Sequence, residues 1–302
     1  MKAIQFSQYG APEVLETVQL PTPEPGAGQI RVRVKAVGIS ATDPKIRSGA
    51  LNFGAELPQR TGRDVAGIVD AIGADVTDVT VGDRVFGIAD DGAAAELCLM
   101  TYRAAIPERL GFIDAAVLPV ALETATRALD QLSVGAGTVL FINGATGGIG
   151  TTAVQLAVAR GARVIGAASE QNQRYLMLLG AEPVVYGDGL LDSIHQLAPD
   201  HVDVALDVVG SGILDQLIKL TGDASKVVTL ADFVGAKEHG VHFSNGFADG
   251  HAFHSLNTIG ELIDAGQFWL PVDNVFPLEN IAEAHRVSES GRVRGRIALL
   301  VR

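Results

Sequence analysis

The chain has 302 residues, of which 47% are hydrophobic and 19% charged, and its formal net charge is −12 at pH 7. That composition excludes a disordered chain, and the negative charge opposes binding to nucleic acid or to an anionic membrane. A single cysteine, Cys98, excludes an intrachain disulfide and a thiolate metal cluster, and fits a reducing compartment.

The opening MKAIQFSQYG lacks an apolar core of signal-peptide length, and no stretch approaches the roughly 18–20 apolar residues that span a bilayer. A cytoplasmic protein is expected. Up to about Leu110, short β-type segments alternate with Gly and Pro: Lys2 to Phe6, Gln29 to Val37, Val65 to Ile72, Asp83 to Gly87 and Ala95 to Met100. This pattern predicts an antiparallel, barrel-like β domain, with Pro21 to Gln29 as a surface turn. An Ala- and Leu-rich helix is expected over Asp114 to Leu132. It leads into TVLFINGATGGIGTTAVQLAV, from Thr138 to Val158.

That stretch reads as strand, glycine turn and helix. Gly144, Gly147 and Gly150, with the small residues Ala145, Thr146 and Gly148 and with Ile149 entering the helix, let the backbone turn tightly and let a pyrophosphate approach its N–H groups. The helix N-terminus adds unpaired donors and the positive end of its dipole. The spacing is GxxGxxG, with Ala145 where G-x-G-x-x-G has its first glycine. Strands and helices then alternate: Arg163 to Ala168, Gln173 to Leu179, Val184 to Tyr186, Val202 to Val208, Gly212 to Leu220 and Lys226 to Leu230. Alternation predicts a doubly wound parallel sheet. A helix from Ser255 to Ala265 and a strand, helix and strand from Val275 to Leu300 close the chain. Arg292, Arg294 and Arg296 are expected on the outer face of the last strand, the histidines in exposed loops, and Phe233, Phe243, Phe247 and Phe253 as scattered core aromatics.

The segments VKAVGISATDPKIRSG, TGRDVAGIVDAIG, VGDRVFG, the glycine turn, SEQNQRYLMLLGAEPVVYGD, LDVVG and LENIAEAHRVSESGRVRGRIALL together cover nearly the whole chain. In them it resembles the zinc-independent quinone oxidoreductase branch of the medium-chain dehydrogenase/reductase superfamily. The resemblance implies an α/β protein: a GroES-like β-barrel catalytic domain over residues 1–113, to which 252–302 return, and a Rossmann domain binding NADP over 114–251. It also implies a homodimer that pairs the edge strands of two Rossmann sheets.

Zinc-dependent relatives carry a cysteine where this chain has Ser40, and a histidine and a glutamate where it has Arg63 and Asp64. Catalytic zinc needs three protein ligands with a fourth position open, so a metal-free reaction is expected. The second strand of the cofactor unit ends at Ala168 with Ser169 following, where an NAD site usually places Asp or Glu. A serine hydroxyl donates to a 2′-phosphate, so NADPH is expected, with Asn172, Arg174 or Tyr175 replacing the lysine that many relatives carry. Arg174 has a second reading, an ordinary solvated helix residue.

Without a metal, hydride transfer suits a quinone or an α,β-unsaturated carbonyl, and the resulting oxyanion needs a donor and a proton. The resemblance puts those donors between Ser40 and Ile46. Lys45 is the electrostatic or proton-donor candidate, Ser40 stands where many relatives have asparagine, and Asp43 caps the helix or orients Lys45. Lys45 reads equally as a solvated helix residue. The resemblance further places the hydroxyl of Thr124 near the nicotinamide ribose and includes Val209 among the cofactor contacts; Glu123 replaces an apolar residue of the family and Thr126 an aromatic one. Alternative functions are an enoyl reductase acting on acyl thioesters and a low-turnover NADPH-binding sensor or structural protein. No nucleic acid or membrane partner is expected.

Overall fold

The computed structural model describes residues 1–52 and 54–302, and the chain divides into two units. One comprises Met1–Val120, Leu256–Asp264 and Leu270–Arg302; the other comprises Ala121–Ser255 and Ala265–Trp269.

The first unit runs β1 (Lys2–Phe6), β2 (Glu16–Gln19), β3 (Ile30–Ile39), α1 (Thr42–Ser48), β4 (Gln59–Arg60), β5 (Asp64–Ile72), β6 (Arg84–Ala89), β7 (Leu97–Ala105) and α2 (Phe112–Ala116). In β3 the side chains of Ile30, Val32 and Val34 are buried while Arg31 and Arg33 face outward to share Asp70, as the two-residue repeat of a strand requires. Residues 21–29, the expected surface turn, carry no regular structure apart from a turn at Ala27 and Gly28.

In the second unit α3 (Pro119–Gln131) precedes β8 (Val139–Asn143), α4 (Gly148–Ala159), β9 (Arg163–Ala168), α5 (Gln173–Leu178), β10 (Glu182–Val185), α6 (Leu190–Leu197), β11 (Val204–Asp207), α7 (Leu214–Thr221), β12 (Val227–Thr229), α8 (Phe233–His239), β13 (His242–Phe243) and α9 (Gly246–Asp249). Its six strands are all parallel, in the order β10-β9-β8-β11-β12-β13. Leu140, Ile142, Val154, Val164 and Leu206 fill one face of this sheet, and Phe141, Ile165, Ala205 and Val227 the other. Helices cover both faces, so the strands are apolar on both sides.

The chain then forms α10 (Ser255–Asp264), β14 (Val272–Pro277), α11 (Ile281–Glu289) and β15 (Arg296–Leu300). The last two strands pair in parallel around α11, and β15 pairs antiparallel with β3. The barrel sheet therefore runs β14-β15-β3-β5-β6-β7, with β3 also pairing β7 to close it.

Four expectations are corrected. The helix over Asp114 to Leu132 is two helices, α2 and α3, because Pro119 has no N–H to donate and disfavours the helical conformation at the residue before it. Arg296 does not face outward: it is 4% exposed and paired with Asp64, itself buried, so the strand carries a charged side chain inward to meet a buried carboxylate. His285 is fully buried on α11 rather than exposed in a loop. Phe233 and Phe247 are about two-thirds exposed, not core, because α8 and α9 flank the edge strand β13 of the sheet.

Candidate functional site

The C-terminal ends of β8, β9 and β11 lie side by side and carry most of the predicted cofactor residues. After β8 the chain passes through Gly144 at φ 82°, where a Cβ would stand 2.2 Å from Cγ2 of Val209. A Cβ on Gly150 would stand 2.1 Å from the carbonyl oxygen of Gly144, a backbone atom that cannot yield. Only glycine permits both approaches. Ala145 is buried and can offer a ligand only its backbone, whereas Thr146, Gly147, Gly148 and Ile149 remain partly open. No side chain caps α4 at Gly147, so its first-turn N–H groups are available to an anion.

Beneath the turn lies a polar network the sequence reasoning missed. Asp207, 1% exposed at the end of β11, accepts hydrogen bonds from Asn143 Nδ2 (2.9 Å), Thr229 Oγ1 (2.8 Å) and the backbone N–H groups of Val209 (3.2 Å) and Gly210 (3.1 Å). One buried carboxylate thus ties the ends of β8, β11 and β12 together and shapes the turn that presents Val209. The signal was available in LDVVG: an acid ending an apolar strand needs buried donors.

At the end of β9, Asn172 Nδ2 donates to Ser169 Oγ (3.1 Å), which orients the serine and leaves its hydroxyl proton free to point elsewhere. Gln173 Nε2 donates to the carbonyls of Ala168, Ser169 and Val184, locking the chain after the strand. Arg174 is exposed and makes no ion pair within 4.0 Å among the described residues. Tyr175 is committed elsewhere: it is buried, its hydroxyl lies 3.0 Å from Thr151 Oγ1, and its ring meets Trp269 edge-on at 5.7 Å.

In α3, Thr124 is half-buried and donates to Glu123 Oε2 (3.0 Å). Glu123 also accepts from Arg127 Nε (2.7 Å). Burial pushes the Glu123 carboxyl up, but hydrogen bonds and charge from Arg127, with donors from Thr124 and the Ala252 N–H, hold it below the usual carboxylate range.

The catalytic candidates of the first unit cluster at the start of α1. Asp43 Oδ2 accepts from both the N–H and the hydroxyl of Ser40, each at 2.7 Å, while Ser40 Oγ accepts from the Thr42 N–H (3.2 Å). Asp43 therefore ties the chain entering the helix to its first turn without capping it, since its carboxylate bonds no N–H of that turn and instead engages the N–H and hydroxyl proton of Ser40. Lys45 projects exposed from the same helix with no carboxylate within 4.0 Å among the described residues.

Asp64 accepts the Val120 N–H (2.6 Å) and pairs with Arg296. Burial pushes its carboxyl up to about 6 against the pull of Arg296. Among the described residues no three His, Cys, Asp or Glu side chains converge as a metal site.

Residues 26–114 match the model of the alcohol dehydrogenase GroES-like domain, and 179–299 that of the zinc-binding dehydrogenase family. The chain is 31% identical to the quinone oxidoreductase of Mus musculus, over 99% of this chain and 98% of that one. It is 30% identical to a chloroplastic NADPH-dependent alkenal/one oxidoreductase of Arabidopsis thaliana, over 99% of this chain and 79% of that one. Among solved structures, a quinone oxidoreductase from Coxiella burnetii superposes with a TM-score of 0.86 at 33% identity, covering 100% of this chain and 99% of the other.

Proposed function

The chain belongs to the quinone oxidoreductase branch of the medium-chain dehydrogenase/reductase superfamily, and from that premise we propose that it reduces a quinone or an α,β-unsaturated carbonyl with NADPH and without a metal ion. The observation that carries the cofactor is the glycine cradle between Gly144 and Gly150, which a single Cβ would fill, opening on the uncapped start of α4. Pyrophosphate fits that backbone, and a 2′-phosphate fits the hydroxyl of Ser169 with the exposed guanidinium of Arg174, which has no ion pair among the described residues, nearby in sequence. Val209 and Thr124 complete the set that would hold the dinucleotide. NADPH, when bound, supplies the hydride that reduces the acceptor.

Negative charge then develops on the acceptor oxygen. Lys45 supplies a positive charge for it, and Ser40 and Asp43 set the start of the helix that carries Lys45. Metal independence is supported by Ser40 and Arg63, which stand where zinc-dependent relatives carry ligands. A cytoplasmic homodimer pairing the edges of two cofactor sheets completes the reading.

The test is NADPH oxidation by the full-length protein with a panel of quinones, enones and acyl thioesters. Turnover of quinones or enones is expected, and Lys45→Ala lowers it at saturating NADPH. Binding of NADPH without turnover of any acceptor defeats the reading.

A further inference from the structure

Glu123 has an unusual place for an acid: its side chain is 7% exposed on the inner face of α3, with Arg127 nearly as buried one turn on. Its Oε1 faces Arg127 Nε at 2.7 Å, the Ala252 N–H at 3.3 Å and His251 Nδ1 at 3.4 Å; its Oε2 accepts from Thr124 Oγ1. Arg127 in turn donates to Ser244, which is also buried. A buried ion pair adds little net stability over apolar packing, so the cluster calls for another role.

The carboxylate can only accept, so the proton on His251 must sit on Nδ1 when the ring is neutral. Nε2 is then the working nitrogen, and it has no protein partner among the described residues. The ring is held from several sides. It stacks on Phe253 (centroids 4.6 Å apart, 20° between planes), meets Phe247 edge-on at 5.6 Å, and rests against Gly246, where a Cβ would come within 2.4 Å of the imidazole. A quarter of the side chain remains exposed. A carboxylate orienting an imidazole whose far nitrogen is open is the arrangement of a general acid or base. Thr124, bonded to the other oxygen of the same carboxylate, is the residue proposed above to lie beside the nicotinamide ribose.

We infer that His251 is a catalytic proton donor to the acceptor oxygen, with Glu123 as its positioning residue; the inference rests on the reductase function proposed above. In the step, the Nε2–H bond of the imidazolium breaks and its electron pair stays on nitrogen. The proton forms an O–H bond with the electron pair left on the acceptor oxygen by reduction, and solvent then reprotonates the ring. The other charged or titratable groups about this segment are Arg127 on α3, Asp249 on α9 with its partner His242, and the neighbouring His254.

The experiment compares the full-length protein with His251→Gln and Glu123→Gln. Turnover of a quinone and of an enone falls about 100-fold in His251→Gln and about 10-fold in Glu123→Gln, in kcat rather than in KM. NADPH affinity, read by fluorescence titration, stays within about twofold. Glu123→Gln adds no further loss in the His251→Gln background, because the carboxylate acts through the imidazole. Turnover of His251→Gln within about threefold of wild type overturns the assignment, as does a parallel loss of NADPH binding or a loss from Glu123→Gln that simply adds to that of His251→Gln. A wild type inert with every acceptor overturns the reductase reading itself, whereas an active wild type matched by His251→Gln overturns the assignment alone.

Discussion

Arg174→Ala separates NADPH from NADH. The guanidinium is exposed and has no ion pair among the described residues, so a 2′-phosphate meets no internal competitor for it. Two phosphate charges about 4 Å from one cation in a water-like medium are worth roughly 2 kcal/mol, a factor of about 30 in affinity. Solvent-exposed pairs commonly deliver up to about 1 kcal/mol, a factor of about 5, so the expected loss is near 5-fold with about 30-fold as its ceiling. NADH lacks the phosphate, and its affinity should change less than about twofold. Titration of both dinucleotides by fluorescence, at low and high salt, reads this directly. The NADPH difference between wild type and variant should shrink at high salt, because screening acts on the same pair. Equal losses for the two dinucleotides, or none for either, refute the placement of the 2′-phosphate by Arg174.

Two further predictions concern buried charge in the first unit. Arg296→Met leaves Asp64 buried without its partner and should cost about 3–5 kcal/mol in chemical denaturation, most of it recovered when Asp64→Leu is added; a loss below about 1 kcal/mol contradicts the pairing. For His285, burial holds the imidazole below its usual range; Asp43 opposes this, Arg47 adds to it, and Glu289 opposes it. A histidine depressed in the folded state is protonated first in the unfolded chain, so wild-type stability is lost as pH falls below about 6.5. His285→Leu should therefore gain stability relative to wild type between about pH 8 and pH 5, and a difference independent of pH contradicts the assignment.

What could be read from the chain was local. The alternation of Ile30, Val32 and Val34, and the run from β8 through the glycine turn to α4, carry their geometry in spacing alone. So did the end of β9 at Ala168, with Ser169 directly after it. The break between α2 and α3 is equally local, marked by Pro119, yet a single helix was expected there. The other unread features join residues far apart in sequence. Asp207 meets Asn143 across 64 residues, Glu123 meets His251 across 128, and Asp64 meets Arg296 across 232. In each, a polar side chain on an apolar element waits for a partner that only the fold supplies. Arg296 shows the consequence most plainly, since alternation alone put it on the wrong face of its strand.

The central claim is reduction of an activated carbonyl compound by NADPH without metal. It is tested most directly by following NADPH oxidation in the full-length protein before and after chelator treatment, with the metal content and the reduced product measured in the same samples. The account predicts one NADPH consumed per quinone or enone reduced, a rate unchanged by chelation, and zinc far below stoichiometric. Activity that disappears with the chelator and returns with added zinc would contradict it.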